Sequence, residues 1–298
     1  MSRIAYVNGR YLPQRVASVN VEDRGYQFAD GIYEVVHLHR GRFIDAERHL
    51  ARLDRSLRGV RIAPPMGEAA LVHVLHEVAR RNRVQDGLLY MQVTRGVARR
   101  DHAFPSEAVA PALVVTVRRV PPYPNDVEAW TGRAITQPDE RWARCDIKST
   151  GLLPNVLARQ AAREQGAIEA ILIDQDGMVT EGAATSLWIV DTGGTVRTRH
   201  LDHGILPGCT RDALLAEMSG AGIRFEQRAF SEAELRAAPE VFLTSATSFV
   251  KPLVAVDGEL VGDGTPGPVT RQLFDLFARH VRSGLPNAQA RLAPARLV

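Results

Sequence analysis

The chain has 298 residues, of which 45% are hydrophobic and 24% charged, and its formal net charge is +3. These values are typical of a soluble globular protein with one large or two ordinary domains. The apolar runs are shorter than the roughly 18 residues of a membrane span. The positive charge comes from scattered Arg residues rather than from one basic face, so neither a membrane protein nor a nucleic-acid-binding protein is indicated.

The first half of the chain predicts a small α/β domain over residues 1–119. Alternating apolar residues between turn signals predict strands, and apolar residues at helical spacing predict helices. The predicted strands lie at 4–11 (a hairpin turning at Asn8-Gly9), 34–39, 42–44, 88–95 and 112–120, and the predicted helices lie at about 46–59 and 68–82.

The three Pro residues at 121, 122 and 124 cannot continue a central strand or a helix, so they predict an interdomain linker at 120–126. A larger α/β domain is predicted over residues 127–282, and the Pro- and Ala-rich stretch 283–298 is predicted to be a loose tail. In the larger domain, helices are predicted at 155–165, 210–220, 231–234 and 269–281, and strands at 168–173, 178–181, 185–190 and 240–244.

The cysteine and histidine content points to a cytoplasmic protein without a metal site. Cys145 and Cys209 are the two cysteines, too few for a disulfide framework and in keeping with a reducing compartment. The N-terminus has no long apolar core of the kind found in signal peptides, so we expect a cytoplasmic location. The nine His residues are dispersed, and no metal site is predicted.

Lys148 stands out because only it and Lys251 are lysines among the 37 Lys and Arg residues of the chain. This chain uses Arg where it needs charge, whereas forming a Schiff base with a carbonyl requires an amine. We predict that Lys148 lies at the end of a strand, facing a cleft, just before a break at 151–154. The alternative interpretation is a surface lysine without a chemical role.

Three further features acquire a role beside such a lysine. Gly208 and Thr210 predict a helix start with Thr210 as the N-cap, which is a typical phosphate-binding geometry. The hydroxyl-rich run 244–248 could line the same phosphate. Glu181 could keep the nitrogen of a pyridine ring protonated. The alternatives are an ordinary helix cap, an ordinary turn and an ordinary turn glutamate.

The chain resembles the class IV, or fold type IV, pyridoxal-phosphate aminotransferases, and within them the D-amino acid aminotransferases. The blocks that carry the resemblance are EDRGYQFADGIYE at 22–34, VTRG at 93–96 with RDHAFP at 100–105, and RWARCDIKS at 141–149. It runs from about residue 4 to about residue 280. It implies an α+β fold of two domains: an N-terminal two-layer α/β sandwich and a C-terminal α/β pseudo-barrel.

The resemblance also implies roles for single residues. Lys148 would hold pyridoxal 5'-phosphate as a Schiff base and shuttle the proton, Glu181 would pair with the pyridine nitrogen, and Arg52 would bind the phosphate. Further phosphate-binding groups would come from Cys209, Thr210, Ala246 and Thr247.

Tyr33, Arg100 and His102 would trap the substrate carboxylate, since Arg offers a planar fork and Tyr and His add donors. Taken singly, Arg100 and His102 are ordinary loop residues, and only the Arg-x-His-x-Phe-Pro spacing distinguishes them. By the resemblance, this Arg and this His reach in from a partner subunit, which implies an obligate homodimer.

One part of the family pattern is altered. Ser186 stands where the family commonly has Asn, and Ala183 and Ala184 replace hydroxyl residues. These positions line or support the cofactor, so we expect cofactor affinity and rate to differ from those of the family. None of the three changes removes a catalytic group.

The function implied is transamination between D-amino acids and 2-oxo acids, of the type D-alanine plus 2-oxoglutarate to pyruvate plus D-glutamate, in a ping-pong reaction. The alternatives on the same scaffold are branched-chain L-amino acid transamination, (R)-amine transamination and aminodeoxychorismate lyase activity. An alternative of another class is a non-catalytic binding protein, for which we expect a lost lysine or a lost phosphate site; Lys148 and Thr210 are both present.

Overall fold

A computed structural model describes residues 3–283 of the chain. Apart from Ser283, which ends the last helix, the predicted tail at 283–298 lies outside the described residues. Within residues 3–283, no helix combines the length and the apolarity needed to cross a bilayer.

The first sheet has six strands, and every neighbouring pair in it is antiparallel. The strands are β1 (Ile4–Val7), β2 (Arg10–Pro13), β3 (Gly31–His39), β4 (Arg42–Phe43), β5 (Gly87–Thr94) and β6 (Ala112–Arg119), in the order β2-β1-β6-β5-β3-β4. The helices of this part are α1 (Arg24–Phe28), α2 (Ala46–Gly59) and α3 (Glu68–Arg81), with a short 3-10 turn at Gln14–Val16. The predicted strands and the two long helices of this half are confirmed.

Helices α2 and α3 cover one face of this sheet. Leu53 of α2 and Val78 of α3 share a buried apolar cluster with Leu89 of β5. Because successive strand residues point to opposite faces, the even-numbered residues of β3, such as Ile32 and Val36, belong to this layer. The odd-numbered residues of β3 therefore face the other side of the sheet.

Helix α1 was not predicted. It has five residues, too few for an apolar period to show, and the Asp23 carboxylate caps it by accepting the Gly25 amide at 2.8 Å. A Cβ on Gly25 would lie 2.1 Å from Thr94 Cγ2, so the close contact between α1 and β5 requires glycine there.

The second sheet mixes parallel and antiparallel pairs. Its strands are β7 (Gly132–Pro138), β8 (Glu169–Ile173), β9 (Val179–Gly182), β10 (Ser186–Val190), β11 (Val196–Thr198), β12 (Phe225–Gln227), β13 (Glu240–Ser245), β14 (Phe249–Val256) and β15 (Glu259–Leu260). Their order is β12-β11-β10-β13-β14-β7-β8-β9, with β15 paired to β14. The helices are α4 (Leu153–Glu164), α5 (Cys209–Gly220), α6 (Glu232–Ala237) and α7 (Pro268–Ser283), with a 3-10 turn at Glu128–Trp130.

Apolar side chains cover both faces of the second sheet. Trp188 of β10 packs with Leu214 of α5 and Phe277 of α7 on one side, and Leu235 of α6 packs on the other side. Strands β8, β9, β10 and β13 confirm the prediction. Strands β7 and β14 were missed because charged residues or Pro, such as Pro252, interrupt their apolar pattern.

The predicted linker at 120–126 connects β6 to the second sheet, so it lies where the chain passes from one sheet to the other. The division into domains at 1–119 and 127–282 stays a prediction.

The start of α7 is held by a carboxylate from β13. Glu240 accepts the amides of Val269 at 3.1 Å and Thr270 at 2.6 Å, so it satisfies two helix donors that have no partner within the helix. A Cβ on Gly267 would lie 2.2–2.5 Å from the Glu240 side chain, which explains the glycine before this helix.

We predict that Glu240→Gln lowers the free energy of unfolding of the full-length chain by about 1–2 kcal/mol, because the helix loses a charged acceptor. Urea titration followed by circular dichroism measures the change. The matched control is Glu259→Gln, which changes an exposed glutamate on β15 and should shift the curve by less than about 0.5 kcal/mol. Equal shifts in the two variants would contradict the capping role.

Candidate active site

A cleft of about 220 Å³ lies where the first sheet meets the second. Eight of the ten predicted site residues line it, and they are Tyr33, Arg52, Lys148, Glu181, Cys209, Thr210, Ala246 and Thr247. They come from β3, α2, the connection before α4, β9, α5 and the turn after β13. Residues far apart in the sequence therefore meet in one cleft.

Lys148 does not lie at the end of a strand, so that prediction is wrong. It belongs to an irregular connection between β7 and α4 that runs alongside the start of β3. Its carbonyl accepts the Tyr33 amide at 3.0 Å, and the Thr150 amide donates to the Gly31 carbonyl at 3.0 Å. The connection has too few ladder bonds to count as a strand, but its main chain is fixed on both sides of the lysine.

The Lys148 side chain faces an aromatic wall. Its Nζ lies 4.3 Å from the centroid of the Tyr33 ring, and the Tyr33 ring stacks on Tyr90 at 5.6 Å. Lys251, the other lysine, lies on β14 and contacts Trp130 at 3.7 Å instead. Of the two lysines, only Lys148 lines the cleft.

Glu181 is a buried carboxylate held from one side. Its Oε1 accepts Arg141 Nη1 at 2.5 Å and the Leu206 amide at 3.0 Å. Its Oε2 accepts no hydrogen bond from the residues that the structure describes. Burial raises the pKa of Glu181, although the charge of Arg141 opposes this shift. One carboxylate oxygen thus remains for a group inside the cleft.

Arg141 orients Glu181 through a network of its own. Its Nη2 donates to Asp139 at 2.8 Å and to the Gly204 carbonyl at 3.0 Å. Burial alone would lower the pKa of Arg141, but the carboxylates of Asp139 and Glu181 raise it further above its ordinary value. Arg141 therefore stays charged and fixed.

Glu34 joins two cations on the helix-facing side of β3. It accepts Arg52 Nε at 2.7 Å and Nη2 at 2.9 Å, and His49 Nδ1 lies 2.8 Å from its Oε2. Arg52 Nη1 also donates to the Pro207 carbonyl at 3.1 Å, just before α5. This cluster of Glu34, His49 and Arg52 connects the first sheet, α2 and the approach to α5.

The charges of this cluster reinforce one another. Burial alone would raise the pKa of Glu34, but Arg52 and His49 hold it well below its ordinary value. Burial alone would lower the pKa of His49, but the neighbouring Cys209 and Glu34 side chains raise it to about 9. His49 is therefore an imidazolium at neutral pH.

Helix α5 begins two residues earlier than its predicted cap requires. Gly208 is the N-cap and Cys209 the first helical residue, so the prediction of Thr210 as N-cap is wrong. The first intrahelical bond runs from the Asp212 amide to the Gly208 carbonyl at 2.9 Å, so the preceding amides have no helical acceptor. A Cβ on Gly208 would lie 2.7 Å from Ser186 Oγ, which favours glycine at the cap.

The turn after β13 closes the same end of the cleft. Ser245 Oγ bonds the hydroxyls of Thr247 at 2.9 Å and Ser248 at 2.8 Å, so side chains fix the turn. The Ala246 carbonyl lies 3.1 Å from His37 Nδ1, and this contact joins the turn to β3. The hydroxyl-rich run 244–248 thus begins at the end of β13 and continues into this turn.

Arg100 and His102 do not line this cleft. Both are exposed, and both contact Phe28: the Arg100 guanidinium lies 4.9 Å from its ring and the His102 ring lies 5.3 Å from it. Arg24 holds their loop by donating to the carbonyl of Asp101 at 2.6 Å. Their predicted role in a partner's site stays a prediction.

The cleft residues fit pyridoxal 5'-phosphate. The Lys148 amine matches the aldehyde of this cofactor, and the uncommitted oxygen of Glu181 matches its ring nitrogen. Arg52, beside the free amides of α5, matches its phosphate. Ser186, which stands where the family commonly has Asn, lines the cleft. The Ala183 carbonyl accepts a hydrogen bond from the Asn155 side chain at 2.7 Å. Within residues 3–283, no group of three or more His, Cys, Asp or Glu side chains is placed to hold a metal ion.

Four features of this site were not predicted: the roles of Glu34, His49 and Arg141, and Gly208 as the cap. Glu34 had a local signal, since a carboxylate on the helix-facing side of an otherwise apolar strand requires a partner. His49 and Arg52 are three residues apart on α2 and so share a face. Arg141 carried no local signal among so many arginines, because its partners are distant in sequence.

Comparison with known proteins identifies the family. The family model for amino-transferase class IV matches residues 31–256, which is most of the chain. The chain belongs to the class IV aminotransferases. Membership confirms the resemblance, the enzyme class and its pyridoxal-phosphate cofactor.

Two relatives are D-alanine aminotransferases. The protein from Bacillus licheniformis is 40% identical over 267 residues, covering 89% of this chain and 93% of its own. The protein from Staphylococcus haemolyticus is 37% identical over 278 residues, covering 93% of this chain and 98% of its own.

Solved structures confirm the predicted fold. The branched-chain aminotransferase of the archaeon Thermoproteus uzoniensis, solved with norvaline, superposes with a TM-score of 0.82 at 23% identity, covering 95% of this chain and 96% of its own. The branched-chain amino acid aminotransferase of Escherichia coli superposes with a TM-score of 0.83 at 22% identity, covering 94% of each chain. At this identity the likeness speaks for the two-sheet α+β fold and not for the substrate.

We predict that His49 makes the stability of the full-length apoprotein depend on pH. Its folded-state pKa of about 9 exceeds its ordinary value of 6.5, so the folded chain binds this proton more tightly than the unfolded chain. The resulting stabilisation, about 3 kcal/mol, is fully present below the unfolded pKa and is lost as pH rises through the folded one.

Urea titrations of wild type and His49→Asn at several values between about pH 6 and 10 test this dependence. The wild-type free energy of unfolding should fall more steeply with pH than that of the variant. Parallel curves would contradict the assignment of a protonated, buried His49.

Proposed function

We propose that this aminotransferase moves an amino group from a D-amino acid to a 2-oxo acid, of the type D-alanine plus 2-oxoglutarate to pyruvate plus D-glutamate. The observation that carries the proposal is the convergence of Lys148, Glu181 and Thr210 in one cleft. The names of the relatives at 37–40% identity support the D-configured donor.

Pyridoxal 5'-phosphate supplies, when bound, a ring that accepts electrons from the donor carbon. Lys148 would attach the cofactor through its Nζ and afterwards carry the proton to and from the donor carbon. The main-chain bonds at Tyr33 and Gly31 fix the base of its side chain, so only the flexible stem moves. Transfer then proceeds in two half-reactions, one for the donor and one for the acceptor.

Glu181 would hold a proton at the ring nitrogen through its uncommitted oxygen, Oε2. Arg141 keeps the other oxygen in place and maintains the negative charge that such a proton requires. Glu181 would therefore touch the cofactor, whereas Arg141 positions Glu181.

The phosphate would be held where several elements meet. Arg52 provides a guanidinium there, and α5 offers its first amides with the positive end of the helix dipole. The predicted contacts come from Arg52, Cys209, Thr210, Ala246 and Thr247.

Tyr33, Arg100 and His102 would bind the substrate carboxylate, with Arg100 and His102 contributed by the partner of a homodimer. Their exposure, away from the cleft of their own chain, supports this arrangement. An anchored loop can present a guanidinium to a neighbour without a large loss of entropy, and Arg24 anchors this loop.

An exposed apolar face supports the homodimer. On α4, Leu153, Val156 and Leu157 are 69%, 56% and 58% exposed, whereas Ala162 on the opposite face is buried. Tyr26 of α1 is 76% exposed. Exposed apolar residues grouped on one helix face indicate an interaction surface, and the occupant that we propose is a second copy of this chain.

A cytoplasmic location belongs to the same proposal. Cys145 and Cys209 are both free and buried. Free thiols are the ordinary state of cysteine in a reducing compartment.

We predict that D-alanine converts the cofactor of the loaded enzyme to its amine form at least about a hundredfold faster than L-leucine or (R)-1-phenylethylamine. The reason is that the amine lacks the carboxylate for which the trap is built, and the L-amino acid presents its groups with the opposite hand. Single half-reactions, followed by absorbance without an acceptor, measure these rates.

The control for this experiment is Lys148→Ala, which should show no conversion with any donor on the same time scale. Fastest conversion by L-leucine would make the enzyme a branched-chain L-amino acid transaminase and would refute the D-donor proposal.

We predict that Arg100 acts in the partner's site. Mixed dimers of Lys148→Ala and Arg100→Ala chains would then contain one intact site, because the first chain lends its Arg100 to the Lys148 of the second. Random exchange of subunits should restore roughly a quarter of the wild-type rate.

Each variant alone is the control for the mixing experiment, since neither homodimer has an intact site. A mixture no more active than the sum of its parts, with subunit exchange verified by mass spectrometry, would place Arg100 in the site of its own chain.

A further inference from the structure

The cluster of Glu34, His49 and Arg52 contains an uncompensated positive charge. Glu34 carries one negative charge and bonds both Arg52 and His49, each of which is cationic. All three residues are at most 4% exposed. A net charge buried to this extent is costly unless a counter-ion lies beside it.

The open side of this cluster faces the start of α5. Both His49 and Arg52 line the cleft, whereas Glu34 lies behind them on β3. The first amides of α5, at Cys209 and Thr210, face the same space with the positive end of the helix dipole. Two side chains and a helix end thus direct positive charge to one place.

The His49 ring has one nitrogen left for this space. Its Nδ1 is committed to Glu34 at 2.8 Å. Its Nε2 has no hydrogen-bond partner among the residues that the structure describes, and the ring lines the cleft beside Cys209. An imidazolium N–H at this place is a donor suited to an anion.

We propose that His49 is a second cationic binding residue for the cofactor phosphate, acting beside Arg52 and oriented by Glu34. A phosphate monoester is a dianion above its second pKa of about 6, and it would neutralise the excess charge of the cluster. The inference rests on the cofactor of the family and not on the proposed donor.

The groups that face His49 define what else can titrate there. They are Glu34 from β3, Arg52 from α2 and the Cys209 thiol from α5. A Cys209→Ser variant removes the thiol and leaves the other two groups in place.

The test compares pyridoxal 5'-phosphate with pyridoxal, which lacks the phosphate, as ligands of the full-length apoprotein. Equilibrium dissociation constants are measured by fluorescence for wild type and for His49→Asn, since Asn retains a donor near Nδ1 but has no counterpart of Nε2. We expect the variant to bind pyridoxal 5'-phosphate about tenfold or more weakly, and pyridoxal within about twofold of wild type.

The matched control is His73→Asn, which changes an exposed histidine on α3 and should alter neither constant. A second measurement needs no variant at position 49. In wild type, the preference for the phosphorylated ligand should decline as pH rises through about 9, because His49 then loses its proton, and in Cys209→Ser it should still decline with rising pH. Differences in Schiff-base formation cancel in this ratio, since both ligands carry the aldehyde.

An equal loss of affinity for both ligands in His49→Asn would assign His49 a structural role and overturn the proposal. If that variant does not fold, a wild-type preference that is constant from about pH 7 to 10 overturns it instead. A wild type that binds both ligands equally would refute the phosphate site as a whole, whatever the donor. The donor panel decides the proposed reaction separately.

Discussion

The fold and the site both depend on the carboxylate of Glu34. A charged group with no solvent exposure is stable only if its partners stay in place, so Glu34 fixes Arg52 and His49 and, through them, the position of α2 on the sheet. Arg52 extends the constraint to the Pro207 carbonyl in the second half of the chain. One buried interaction therefore aligns the elements that are proposed to hold the phosphate.

Arg141 is a second buried charge that fixes its partners, on the other side of the cleft. It is a buried cation that bonds Asp139, Glu181 and the Gly204 carbonyl, so it ties the connection before α4 to β9 and to the approach of α5. Such networks add specificity of geometry more than net stability, since desolvation offsets much of their attraction. In this enzyme the gain is orientation: the carboxylate of Glu181 on β9 and the amine of Lys148 on an irregular segment are both held in place by hydrogen bonds.

The sequence was sufficient for the elements whose signal is local. The period of α2 and the alternation of β3 follow from residues that are neighbours in the chain, and Lys148 was marked by the rarity of lysine. The failures have a common cause. The setting of Lys148 beside Tyr33 depends on main-chain contacts between distant segments, and the glycine cap of α5 depends on the close approach of the distant Ser186 side chain. Composition and spacing encode neither contact.

The position of the cleft between two sheets gives the cofactor a mechanical role. Its walls come from β3 and α2 on one side and from β9, α5 and the turn after β13 on the other. By thermodynamic linkage, a molecule that binds only when both walls are in place also favours their association. A cofactor bound in this cleft would then link the two walls as well as take part in the reaction. The free energy of cofactor binding would add to the free energy needed to separate the two halves of the chain.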